Sequence, residues 1–190
     1  MQQRAIDAVM RCIARYGVSK TTLDDVAREA GCARATLYRY FPNKSQLLRV
    51  AVASEVAALA GELEQIGAAA PTLDDAVVAV VTHASRRIVG HDALQFVLRC
   101  EPETLLPYLT FAAGDTFLAA AGDVVARSLL VHLPPERAAR AGEWVARVAF
   151  AYLTPDGSPV DMTDERQVRE LVRTFVRPGL PTEPVDPITR

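Results

Sequence analysis

Apolar positions along the start of the chain repeat with the spacing of an amphipathic helix. Ile6, Val9, Met10 and Ile13 stand at i, i+3, i+4 and i+7, which predicts a helix over residues 2–16 with one buried face. Gly17 follows where a C-terminal cap belongs. Thr22 then occupies an N-cap position with Asp25 three residues on, and Leu23, Val26, Ala27 and Ala30 give a second helix its inner face. Asp24 and Asp25 fall in its first turn, where the helix dipole favours negative charge. Gly31 supplies a sharp turn. A third, short helix over 33–41 has Leu37 and Phe41 one turn apart for its inner face and Pro42 to stop it. Asn43, with Gln46 at the matching third position, caps a fourth helix over 44–66.

After a break at 67–71 the pattern changes to longer and more apolar helices. Thr72 and Asp75 open one that runs to residue 89, and its AVVAVV run, nearly apolar all round, predicts burial. Short helices are expected over 93–99 and 103–111, and two long ones over 115–132 and 135–153, with Pro134 and Pro135 between them. The segment 154–162 reads as a loop. A last helix over 163–176 places Val168, Leu171, Val172 and Phe175 on one face, and the proline-rich stretch 177–190 is expected to be extended. No internal repeat and no strand pattern emerges, so the expected fold class is all-α.

Composition narrows the function. Half of the residues are apolar, with alanine, leucine and valine dominant, which excludes a disordered chain. No apolar run reaches the roughly 18 residues of a membrane span, and charges interrupt the apolar positions of the N-terminus where a signal peptide would be continuous. The expected location is therefore the cytoplasm, with no membrane partner. Cys12, Cys32 and Cys100 are too scattered for a disulfide framework or a zinc site, and no metal or cofactor is expected. Cys32, at the turn, reads as a small packed residue rather than a reactive thiol. No GxSxG, HExxH, Walker loop or dinucleotide fingerprint is found, and His83, His91 and His132 have no nucleophile beside them in the sequence, so an enzyme is not expected. Residues 1–50 hold nine Arg or Lys against four Asp or Glu, net +5, while the other 140 hold twelve against nineteen, net −7, together the −2 of the whole chain. A basic head on an acidic body suits contact with phosphates.

Residues 20–48, KTTLDDVAREAGCARATLYRYFPNKSQLL, therefore carry the helix, glycine turn, helix and proline stop of a helix-turn-helix. The stretch resembles the head of TetR-type transcriptional regulators. The Thr21-Thr22 pair, the Ala30-Gly31 turn, the run Thr36-Leu37-Tyr38-Arg39-Tyr40-Phe41 and Lys44 all match that pattern in type and spacing, over about residues 6–50. The remainder is similar to the family in length and helical layout. The resemblance implies a DNA-binding domain over 1–48, a linking helix over 44–66, and a helical ligand-binding and dimerisation domain over 49–190.

With Leu37 and Phe41 turned inward, Arg34, Ala35, Arg39, Tyr38 and Tyr40 are left for the outer face of the third helix. Arginine makes bidentate contacts to guanine, so Arg34 and Arg39 are the base-reading candidates, and small Ala35 permits close approach to a base edge. The resemblance implies that Thr36, Tyr38, Tyr40 and Lys44 lie along the phosphates, and that Thr22 does so from the second helix. One departure is Ala33, where the family has a capping serine or threonine; Arg34 then either replaces the lost phosphate contact or reads a base. Arg4 is the one basic residue of the N-terminal arm, which argues against minor-groove reading there.

The resemblance also implies a homodimer on a palindromic operator in double-stranded DNA. Small residues at helical spacing, Ala121, Gly122, Val125 and Leu129 on one late helix and Ala138, Ala141, Gly142, Val145 and Ala149 on the next, are the dimer-interface candidates; the alternative is packing within one subunit. Phe96, Cys100, Tyr108, Phe111, Phe117, Trp144 and Phe150 are candidates to line an apolar cavity, with Arg99, His83 or Arg86 to hold a polar group. The expected function is a repressor released from DNA by a small lipophilic effector. An effector-independent DNA-binding protein or an activator is the alternative.

Overall fold

The computed structural model describes residues 1–104, 111–153 and 160–176, and of residues 111–117 and 153 the backbone alone. All regular structure among the described residues is helical. The helices are α1 (Gln2–Lys20), α2 (Leu23–Glu29), α3 (Arg34–Tyr40), α4 (Lys44–Ala69), α5 (Leu73–Val89), α6 (Asp92–Cys100), α7 (Phe111–Ser128), α8 (Pro135–Leu153) and α9 (Glu165–Leu171). The chain separates into two compact units, residues 1–59 with 87–115, and residues 60–86 with 116–190.

In the first unit, Ala5, Ile6, Val9, Cys12 and Ile13 of α1 form the centre of a buried cluster. Leu23, Val26 and Ala27 of α2, Leu37 of α3, Phe41, and Leu47 and Ala51 of α4 pack into it, and Ala93 and Val97 of α6 close it. The burial of Cys12 pushes its thiol pKa up, as befits an inert core residue. Gly17 interrupts α1 with φ +81°, as its position in the sequence predicts. Helix α2 begins with the full reciprocal capping box. The Asp25 N–H donates to Thr22 Oγ1 at 3.2 Å, and the Thr22 N–H donates to the Asp25 carboxylate at 3.2 Å. These bonds from Thr22, with Arg28 adding to them, hold the Asp25 pKa below its ordinary value.

The second unit corrects two readings of the sequence. Residue 67 was expected to lie in a break, yet α4 runs through it to Ala69. Gly67 is a point of close approach: a β-carbon there would lie 1.9 Å from the Ser128 carbonyl oxygen. The last helix was expected to bury Phe175, but that side chain is 61 % exposed while Val176 is 2 % exposed. Its α-helical part ends at Leu171, and the turn Val172–Val176 is a π-turn. A π-turn holds an extra residue per turn, so the inward register passes from 175 to 176. Val168, Leu171 and Val172 are buried as expected.

The other elements lie close to expectation. The run on α5 is buried at Ala76, Val77, Val78, Val80 and Val81. Helix α7 ends at Ser128 rather than 132, and the chain continues in turns to His132, whose imidazole Nε2 lies 3.0 Å from the Gly67 carbonyl. Of the helix expected over 103–111, Pro102–Thr104 is a 3-10 turn; residues 105–110 lie outside the described residues, as do 154–159 and the stretch 177–190.

Candidate nucleic-acid interface

The reader is built from α2, a turn and α3. Gly31 has φ +61° and follows the Ala30 cap of α2. The Cys32 N–H donates to the Ala27 carbonyl at 3.0 Å and the Gly31 N–H to the Arg28 carbonyl at 3.2 Å. Together these are the two bonds of a Schellman motif, which satisfies the last carbonyls of α2 and aims the chain into α3. Arg4 reaches across from α1 and donates to the carbonyls of Ala30 and Gly31. The basic residue of the arm is thus spent on bracing the turn. Arg11 and Arg15 of α1 both pair with Glu29 of α2, which lowers the Glu29 pKa, Arg11 contributing most.

Ala33, the N-cap of α3, has the extended backbone of a cap but no side chain to satisfy the first N–H groups. Ala33→Ser is therefore expected to raise the stability of the head by about 1 kcal/mol, read as a higher urea midpoint at unchanged slope; an unmoved midpoint would show that another group already caps α3.

Successive helical residues are rotated by about 100°. On α3, Leu37 (0 % exposed) and Phe41 (2 %) define the inner direction, and Arg39 and Ala35 project most nearly opposite. Arg34, Ala35, Tyr38, Arg39 and Tyr40 are all exposed, and Thr36 is half-buried. The two arginines differ in their surroundings. The Arg34 Nε lies 2.9 Å from the Asp24 carboxylate, tying α3 to the first turn of α2. The Arg39 guanidinium carbon lies 5.6 Å from the centroid of the Tyr40 ring, a cation–π arrangement that orients it. Lys44, half-buried, donates from Nζ to the carbonyls of Val18 at 2.9 Å and Ser19 at 3.3 Å. The hydroxyl of exposed Thr22 is held in the capping box. The structure thus gathers Arg34, Ala35, Thr36, Tyr38, Arg39 and Tyr40 on one short helix, flanked by the start of α2 and the start of α4.

The other candidates fall in several places. Phe96, Arg99 and Cys100 of α6 line an open groove of about 590 Å³, whose further lining includes Arg11, Ala14 and Arg15 of α1. Trp144 is 37 % exposed and Phe150 half-buried on α8. Tyr108 lies outside the described residues, and Phe111 and Phe117 lie on α7, whose first residues are described by their backbone alone. His83 lies 2.7 Å from the Glu62 carboxylate, and Arg86 donates to the Thr163 carbonyl at 2.9 Å. Gly122, Val125, Leu129, Ala138, Ala141, Gly142 and Val145 are buried within a single copy, and Ala121 and Ala149 are half-buried. A β-carbon on Gly142 would lie 2.3 Å from the Gly122 carbonyl, so the two glycines bring α7 and α8 together inside one subunit.

Two short helices joined through a Schellman turn, with a basic and hydroxyl-bearing face turned outward, define a helix-turn-helix head. Residues 5–51 match the model of the family described as bacterial regulatory proteins, tetR family. Over these residues the chain is similar to the DNA-binding head of that family. An uncharacterized HTH-type transcriptional regulator of Mycobacterium bovis is 32 % identical over 98 residues, 52 % of this chain and 50 % of that protein. The chain spans about half the length of the curated relatives it matches first. The TetR family repressor AlkX from Dietzia sp., implicated in biodegradation of n-alkanes, shares the fold with a TM-score of 0.65 at 20 % identity, over 93 % of this chain and 95 % of that one. The regulator FadR from Bacillus subtilis, solved in complex with stearoyl-CoA, does so with a TM-score of 0.64 at 17 % identity, over 92 % and 98 % of the two chains.

Proposed function

We propose that this chain is a cytoplasmic repressor that binds a palindromic operator as a homodimer and is released by a small lipophilic effector. The observation that carries the DNA-binding part is the division of α3 into two faces. Leu37 and Phe41 lock the helix onto its own domain, while Arg39 and Ala35 stand opposite, free to enter a major groove. Arg39 is the base reader of this proposal, since a guanidinium oriented on an aromatic ring can address both guanine acceptors. Arg34, held beside Asp24 at the start of α3, takes the phosphate role together with Thr22, Thr36, Tyr38, Tyr40 and Lys44.

Pairing follows from the size of the reader, because one short helix spans few base pairs and a two-fold dimer doubles the site. The effector class rests on the aromatic residues Phe96, Trp144 and Phe150 and on a fold shared with a regulator solved with stearoyl-CoA. Binding releases DNA if the effector prefers the non-DNA conformation; a preference of about 3 kcal/mol weakens DNA binding roughly a hundredfold.

The two arginines test the assignment. Arg39→Ala is expected to weaken binding to the preferred duplex by about 1–3 kcal/mol and to relax the preference at one or two base pairs. Arg34→Ala is expected to weaken all duplexes alike and to make the salt dependence shallower by about one phosphate contact. Fluorescence anisotropy across a salt series reads both, and an Arg39→Ala chain with undiminished sequence preference would remove Arg39 from base reading.

A further inference from the structure

The last turn of α1, beyond the kink at Gly17, is held by a residue far away in sequence. Glu101, the C-terminal cap of α6, is 8 % exposed and turns its carboxylate into this turn. The carboxylate accepts from the Val18 N–H at 2.6 Å, from the Ser19 N–H at 3.2 Å, and from the Ser19 hydroxyl. The carbonyls of the same turn are taken by other donors. Thr21 Oγ1 donates to the Gly17 carbonyl at 2.6 Å, and Lys44 Nζ to those of Val18 and Ser19. Gly17 is shaped to this arrangement as well as to the turn, because a β-carbon there would lie 2.5–2.9 Å from the Glu101 carboxylate. These hydrogen bonds hold the Glu101 pKa below its ordinary value, the Ser19 hydroxyl contributing most.

We propose that Glu101 is the positioning residue through which α6 holds the DNA-reading head in register, and that opening this latch lowers DNA affinity. The proposal rests on the reading of the head as a DNA-binding module. The latched turn leads directly to Thr22, the N-cap of α2, so its position fixes where α2 and α3 begin. Lys44 ties the start of α4 to the same turn, so three helices meet the reader at one cluster of polar contacts. Hydrogen bonds of this kind fail within about 1 Å of lengthening, whereas the apolar contacts of α6 at Ala93 and Val97 tolerate small sliding. A small shift of α6 therefore breaks the latch before it opens the core. The groove beside Phe96, Arg99 and Cys100 lies on the same helix, one turn before Glu101.

The test compares full-length wild type, Glu101→Ala and Glu101→Gln by amide hydrogen exchange and by affinity for one selected duplex, well below the unfolding temperature. For the alanine chain the expected results are at least about tenfold faster exchange at Val18 and Ser19, unchanged protection at Val26 and Leu37, and about tenfold weaker DNA binding. The glutamine chain keeps an acceptor without the charge and is expected to fall between. Should the alanine chain fail to fold, the glutamine chain carries the same comparison. Faster exchange with unaltered DNA affinity would make Glu101 merely structural, and unaltered exchange would show that no latch exists in solution; either result overturns the proposal. A wild-type chain that binds no duplex at all would instead overturn the reading of the head, and the latch's effect with it.

Discussion

Leu37→Ala is expected to destabilise the head by about 2–5 kcal/mol, the range of large-to-small changes at fully buried positions. Leu37 is 0 % exposed and is the buried residue within α3, a helix of seven residues that lacks a side-chain cap at its start. Helices this short are not stable alone and depend on tertiary packing. Removing this anchor leaves a cavity in the core that Leu37 shares with α1, α2 and α4, and loosens the helix that carries Arg39. DNA affinity is therefore expected to fall with stability, whereas Leu37→Met, which preserves volume, is expected to lose less than about 1.5 kcal/mol and to keep binding. Urea unfolding followed by circular dichroism reads the stability and anisotropy the binding. An alanine chain with the wild-type midpoint would mean that α3 is not anchored as described.

Gly67→Ala is expected to be the most damaging single methyl group in the second unit. A β-carbon at this position would stand 1.9 Å from the Ser128 carbonyl oxygen and 2.8 Å from its carbon, both backbone atoms that no rotamer change can move. Alanine is ordinarily favoured over glycine inside a helix by about 1 kcal/mol, so the intrinsic preference and the packing oppose each other. Packing should win, because overfilling a close contact costs about 1–3 kcal/mol and more when backbone must shift. The hydrogen bond between His132 and the Gly67 carbonyl would be strained in the same movement. Gly61→Ala is the internal control: it lies on the same helix with open space where the β-carbon would go, and is expected to be neutral or stabilising. A Gly67→Ala chain as stable as the Gly61→Ala chain would contradict the close approach of α4 to Ser128.

Those two glycines show where the sequence is readable and where it is not. Helix starts and stops in the head are local events. Thr22 with Asp25, Gly31 after Ala30, and Asn43 with Gln46 each act within a few residues, and each acts in the structure as its spacing predicts. The buried face of α3 was legible for the same reason, since Leu37 and Phe41 are one turn apart. What stayed hidden was set by distant partners. Gly67 looks like a break until Ser128 arrives beside it, and the spacing of Gly122 and Gly142 does not reveal that each admits the other's helix. Glu101 carries no local mark at all, because its partners Val18 and Ser19 are more than eighty positions away. The pairing of Arg34 with Asp24, ten residues earlier across a turn, and of Arg4 with carbonyls which its own helix does not contain, carried no local mark either. The π-turn that exposes Phe175 likewise left no trace in the spacing of Val168, Leu171 and Val172.

The most direct test of the account is selection of bound duplexes from random double-stranded DNA by the purified full-length chain at moderate salt, followed by sequencing. The expected result is an enriched palindrome whose half-sites lie about one helical turn or more apart, with guanine among the bases that Arg39 addresses. Recovery of unenriched DNA, bound equally at every sequence and released together by salt, would contradict it.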